Sequence, residues 1–201
     1  MPVWAKAVVV AICVGLPAWW LVDRHDRIAN QDRLAAIASD VAGRQVTVRC
    51  PGLLRRIGPD TRAGAVNVDA DGASADWTRL STQTCATLDA LAEGRLDGEL
   101  ACAARSTSCG DDVLKVAWAV NTLAHEAFHM RGYLDEGVTE CYAMQTLAST
   151  ARRLGATPEQ ARNLAVLYAQ SSPELKPVQY NAPGCADEGP LDLRPDDPLW
   201  P

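Results

Sequence analysis

From Ala7 to Val22 the chain runs through sixteen uncharged residues, AVVVAICVGLPAWWLV, then turns abruptly polar at Asp23-Arg24-His25-Asp26-Arg27. As a helix this run rises about 24 Å, a little short of a hydrocarbon core of roughly 30 Å, and Val3, Trp4 and Ala5 extend it across a Lys6 able to snorkel. Residues 1–22 are therefore expected to be a transmembrane anchor or an export signal peptide. Cleavage after Ala18 would set Leu16 and Trp19 where small residues are preferred, whereas Trp4 and Trp19-Trp20 stand where interfacial aromatic belts do. That contrast favours the anchor. Ile28, Leu34, Ile37 and Val41 recur among polar neighbours up to Gly43, so residues 23–44 read as a juxtamembrane helix or linker.

Gln45 to Cys50 and Ala65 to Ala70 alternate with the strand period, and Asp71-Gly72 supplies turn chemistry, predicting a small antiparallel sheet. The period then changes. Thr82 to Ala92 predicts a short helix. Asp111 or Asp112 is placed to cap a long, almost wholly apolar one that stops at Gly132. Asp135 is placed to cap a second, ended by Gly155, and Thr157-Pro158-Glu159-Gln160 starts a third that reaches about Gln170. The short link Gly132-Tyr133-Leu134 requires the first two to fold back as a hairpin. Residues 45–172 thus form the main domain of an α+β, mostly helical protein. Residues 173–201, with seven of the 12 Pro and a run of acids, read as an extended acidic arm.

With 201 residues, 19 Lys and Arg, 25 Asp and Glu and a formal charge of -6, the chain lacks the basic surface that nucleic acid requires. Cysteines set the compartment. Cys13 lies in the apolar run, and Cys50, Cys85, Cys102, Cys109, Cys141 and Cys185 lie outside it, with no CxxC spacing. An even six in a small exported domain reads as disulfides, which puts the body on the extracytoplasmic side. Of 15 connectivities, Cys50–Cys85, Cys102–Cys109 and Cys141–Cys185 are preferred: the first closes the sheet segment, the second a short loop, and the third ties down the tail.

His125-Glu126-Ala127-Phe128-His129 is an HExxH sequence within the long helix. A spacing of four sets both imidazoles on one helical face, within reach of one metal ion, with Glu126 beside them to take a proton from a water the metal activates. Two of the protein's three His fall here, in apolar surroundings where unsatisfied imidazoles are costly.

On these residues the sequence resembles the zincin metallopeptidases over roughly residues 113 to 150. The resemblance implies one Zn2+, a third protein ligand, and hydrolysis of a peptide or protein substrate with Glu126 as the catalytic base. Asp135, Glu136 and Glu140 compete for the third ligand. HEAFHMRGYLD is similar to the metzincin signature with Asp135 in the third position, but the following methionine turn is missing, since Met144 sits in a helical pattern. A gluzincin-like Glu from the next helix is the other arrangement. Reversal of the chain around Tyr133 sets Glu140 level with Ala127, between the histidines, which favours Glu140 as ligand, Glu136 as the carboxylate orienting an imidazole, and Asp135 as helix cap. Tyr133, Tyr142 and Tyr180 are candidate donors to an oxyanion. The expectation is a membrane-anchored or secreted zinc metallopeptidase. The alternative is an inactive envelope protein that keeps zinc and disulfides as staples.

Overall fold

The computed structural model describes residues 24, 28–51, 63–68, 72–175, 178–196 and 200. The apolar run Ala7 to Val22 lies outside them, and among the described residues no helix is long and apolar enough to cross a membrane. Helix α1 (28–42) buries Leu34, Ile37, Ala38 and Ala42 in the main core and ends at Gly43 with φ +68°. It packs as part of the body. Strands β1 (Thr47–Arg49), β2 (Gly64–Val68) and β3 (Ser74–Leu80) follow, then helices α2 (Thr82–Ala92), α3 (Asp111–Arg131), α4 (Glu136–Arg153) and α5 (Pro158–Leu175). The architecture is mostly helical with a small sheet, as the residue pattern predicts.

The sheet is mixed, not antiparallel. Its order is β1-β3-β2, with β1 parallel to β3 (Val48 opposite Thr78) and β2 antiparallel to β3 (Gly64 opposite Leu80). The two segments legible as strands never pair with each other. Between them lies β3, SADWTRL, whose inward positions include a fully buried Thr78 in place of an apolar residue, so its alternation is hidden. Of the expected Asp71-Gly72 turn, Asp71 lies outside the described residues, and Gly72, shortly before β3, has φ +78°. Arg44 ties the sheet to the end of α3: Nε donates to the Met130 carbonyl at 2.8 Å and Nη2 to those of Ser74 and Ala75 at 3.1 and 3.2 Å.

Side-chain chemistry sets the helix boundaries. Thr157 and Gln160 cap each other at the start of α5: the Gln160 N–H donates to Thr157 Oγ1 at 3.2 Å and the Thr157 N–H to Gln160 Oε1 at 2.9 Å. At α3 the cap residue is Gly110, and Asp111 and Asp112 occupy the first turn, where their charges meet the positive end of the helix dipole. All three disulfides join the expected partners: Cys50–Cys85, Cys102–Cys109 and Cys141–Cys185.

The C-terminal segment is not an extended arm. Helix α5 continues to Leu175, and residues 178–196 are a series of turns strapped along α4. Buried Gln145 holds the strap from both sides, donating to the Leu191 carbonyl at 2.8 Å and accepting from the Leu193 N–H at 2.7 Å. The Cys141–Cys185 bond lies one turn away on the same helix. A Cβ on Gly137 would stand 3.0 Å from the Asn181 backbone, so the strap lies directly on the start of α4.

Candidate metal centre

Helix α3 is buried on most sides by Val113, Val116, Val120, Leu123, Ala127 and Met130, and its sequence places three polar groups, Asn121, His125 and Glu126, inside that apolar helix. Each must find a partner. The helix ends at Gly132 (φ +109°), and the Gly132 and Tyr133 N–H groups return to the carbonyls of His129 and Phe128 at 2.9 and 3.1 Å. The Tyr133 carbonyl is thereby turned onto the ring of His129, accepting from Nδ1 at 2.7 Å.

Two carboxylates reach the histidines from α4, in the opposite order to that expected from the sequence. Glu136 Oε2 stands 3.0 Å from His125 Nε2 and 3.4 Å from His129 Nε2. Glu140 Oε2 instead meets His125 Nδ1, at 3.0 Å. Ligand atoms of His125, His129 and Glu136 all lie within 4.8 Å of one another, a group able to hold a metal ion, and Glu140 is on the far side of the ring. The reason is the turn. A reversal symmetric about Tyr133 would set Glu140 level with Ala127, but Tyr133 doubles back along the last turn of α3, so α4 begins about one turn further up. Glu140 is then level with Asn121 and His125, and Glu136 with the two histidines.

The surroundings of each ring fix its orientation. Both Nδ1 atoms are taken by protein acceptors, Glu140 and the Tyr133 carbonyl, which leaves both Nε2 atoms converging on one carboxylate oxygen. Glu140, 7% exposed, is saturated: it accepts from Asn121 Nδ2 at 3.0 and 3.2 Å and from the Tyr168 hydroxyl at 2.7 Å, besides His125. Glu136, 40% exposed, faces an open groove of about 630 Å³ between the start of α4 and the C-terminal strap, with Leu134, Val138, Pro183 and Leu191 among its walls.

Charge in the cluster is shared between the imidazoles and the carboxylates of α4. Burial works against charge on His125, but the hydrogen bonds to Glu136 and Glu140 outweigh it and lift the imidazole to about 9. Glu136 is held below its ordinary range, chiefly by its hydrogen bond from His125. Burial, and the charge of His125 beside it, lower His129. The two imidazoles thus share charge with Glu136 and Glu140, and His125, His129 and Glu136 form a group that could hold a metal ion. Glu126 stands apart from the cluster, buried against Gly64 and Thr78, and burial with the nearby Glu136 charge pushes it up to about 7.

Asp135 caps α4, its Oδ1 accepting from the Val138 N–H at 2.9 Å, and it takes no part in the cluster. Asp135→Ala is expected to cost about 1 kcal/mol and to lower Tm by about 2–4 °C, with metal content unchanged. Calorimetry with elemental analysis checks both. Of the three tyrosines expected as oxyanion donors, Tyr133 and Tyr142 form an aromatic cluster with Phe128, with ring centroids 5.0 to 5.9 Å apart. Tyr180, on the strap, stands 5.7 Å from the His125 ring, and burial with the Glu136, Glu126 and Glu140 charges raises its hydroxyl.

Asn121, Tyr168, Gly64 and Thr78 are not among the residues the sequence marks as candidates. Asn121 carries a usable signal, a polar residue one turn before His125 on the same apolar helix. Tyr168 and Thr78 carry none, since each meets the site across 28 or more positions of chain. Comparison of the chain with protein-family models, curated proteins and solved structures finds no match.

Proposed function

We propose that the protein is a zinc-dependent peptidase of zincin type, with His125, His129 and Glu136 holding the ion and Glu126 as base. One observation carries the reading. Each imidazole has its Nδ1 engaged by protein and its Nε2 aimed at one shared carboxylate oxygen, the donor set and second-sphere pattern that a zinc site needs. The acid comes from the following helix, a gluzincin-like arrangement with Glu136 in the place that hairpin level assigned to Glu140.

Zinc bound there would polarise a carbonyl oxygen and bring the pKa of a water molecule toward neutrality. The remaining work falls to side chains. Glu126, raised to about 7 by its burial, accepts the proton of the attacking water and returns it to the leaving nitrogen. Tyr180 beside His125 offers a hydroxyl to the charge developing on the carbonyl oxygen. Substrate backbone lies in the groove that opens at Glu136, against Leu134 and the strap. The three disulfides support an oxidising, extracytoplasmic compartment, reached by secretion or by an N-terminal anchor.

Elemental analysis of the purified protein, followed by chelation, tests the proposal. One equivalent of zinc is expected. Removing it should abolish cleavage of a quenched-fluorescence peptide library, and zinc resupplied at 100 times Kd should restore activity and add about 2.7 kcal/mol of stability. Finding no bound metal and no thermal shift on adding zinc would overturn the site. Metal with no hydrolysis of any peptide would leave a zinc-stapled envelope protein.

A further inference from the structure

Glu126 follows His125 in sequence, yet its carboxylate is received by the sheet. Gly64 opens β2 directly against it: a Cβ at that position would stand 2.5 Å from Glu126 Oε1, 2.7 Å from Cγ and 2.8 Å from Cδ, distances real side chains do not tolerate. The backbone of Gly64 is outside the positive-φ region, so conformation does not demand a glycine there. Space does.

The strand has no room to retreat. Just before Gly64 the Ala63 carbonyl accepts from the Ser81 N–H at 2.8 Å and from the Thr84 hydroxyl at 3.0 Å, pinning β2 to the start of α2, and Gly64 itself is in register with Leu80. On the neighbouring strand Thr78 is fully buried. Its Oγ1 lies 3.0 Å from the Ala65 carbonyl and 3.4 Å from Glu126 Oε2, so one hydroxyl fastens β2 to β3 and faces the carboxylate. Its single proton has two acceptors within reach, the carbonyl at 3.0 Å and the carboxylate at 3.4 Å, so the buried hydroxyl is not left unsatisfied.

We infer that Gly64 and Thr78 are positioning residues for Glu126: the β2–β3 hairpin sets where the carboxylate stands relative to His125, His129 and Glu136. The inference rests on Glu126 acting as base in the proposed reaction. A misplacement of about 1 Å at a reacting group lowers rate by roughly 100-fold while leaving substrate affinity largely alone. Neither residue hydrogen-bonds to His125, His129 or Glu136, so metal binding should not follow the change.

The experiment compares Gly64→Ala, Thr78→Val, Thr78→Ser and Glu126→Gln in the zinc-loaded full chain, using one peptide that the wild type cleaves. Gly64→Ala is expected to lower kcat about 10- to 100-fold with KM and zinc content near wild type. Thr78→Val should lower kcat in the same way, and Thr78→Ser, which restores the hydroxyl, should recover most of it. Wild-type kcat in Gly64→Ala or Thr78→Val, alongside an inactive Glu126→Gln, overturns the inference and leaves the base in place. An active Glu126→Gln removes the base itself, and the inference with it. Should Gly64→Ala fail to fold, the Thr78 pair decides, and equal kcat for valine and serine overturns the inference.

Discussion

Glu136→Ala is expected to strip the metal from the protein while leaving the metal-free fold close to its original stability, and Glu140→Ala to do the reverse. Glu136 is 40% exposed at the groove and, among the described residues, bonds to the two histidines alone, so its loss removes one of the three proposed ligands; the buried group it frees, His125, keeps its Nδ1 bond to Glu140 and can release the proton that Glu136 helped to hold. Zinc affinity should fall by upward of roughly 100-fold, beyond the range seen for outer partners. Glu140 is buried and accepts from His125, Asn121 and Tyr168. Its removal leaves three donors facing a void and is expected to destabilise the fold by about 3–5 kcal/mol, with a loss of zinc affinity of about 10- to 100-fold through a misoriented imidazole. Glu140→Gln, which keeps the volume and one acceptor oxygen for Nδ1, should retain more zinc than Glu136→Gln. Competition against a chromophoric chelator and thermal melts of the metal-free proteins read the two effects separately. Tighter zinc binding by the Glu136 variants than by the Glu140 variants would return the ligand role to Glu140.

That reversal of roles marks where the sequence stops being sufficient. The helices were legible because their ends are written in local chemistry: Gly132 and Gly155 adopt positive φ, Asp135 caps α4, and Thr157 and Gln160 cap each other. The disulfides followed from segment order. Glu136 and Glu140 share a helical face, so choosing between them required the level of α4 against α3, and that level depends on a Tyr133 backbone that folds back onto Phe128 and His129. Nothing local encodes such a return. Likewise β3 hides behind an inward Thr78, a residue whose partner is a carboxylate 48 positions away. The strap looked like an arm because prolines and acids dominate it, whereas its hold comes from Gln145, a residue of α4.

Glu126→Gln should keep zinc and lose hydrolysis. Glutamine has the same shape, so the seat against Gly64 is filled as before and the Thr78 hydroxyl still meets an oxygen. His125, His129 and Glu136 keep their contacts, since none of them bonds to Glu126. What is lost is the acceptor for the proton of the attacking water and the donor to the leaving nitrogen, and a positioned acid–base group of this kind contributes about 10²–10⁴ in rate. The loss should appear in kcat with KM little changed, the signature of an interaction made in the transition state alone. Thermal stability should hold or rise slightly, because a buried carboxylate beside Glu136 gives way to a neutral amide. Full metal content with kcat within about tenfold of wild type, well short of an acid–base contribution, would show that the proton leaves by another route, and Tyr180, whose ring stands 5.7 Å from that of His125, would be the next residue to change.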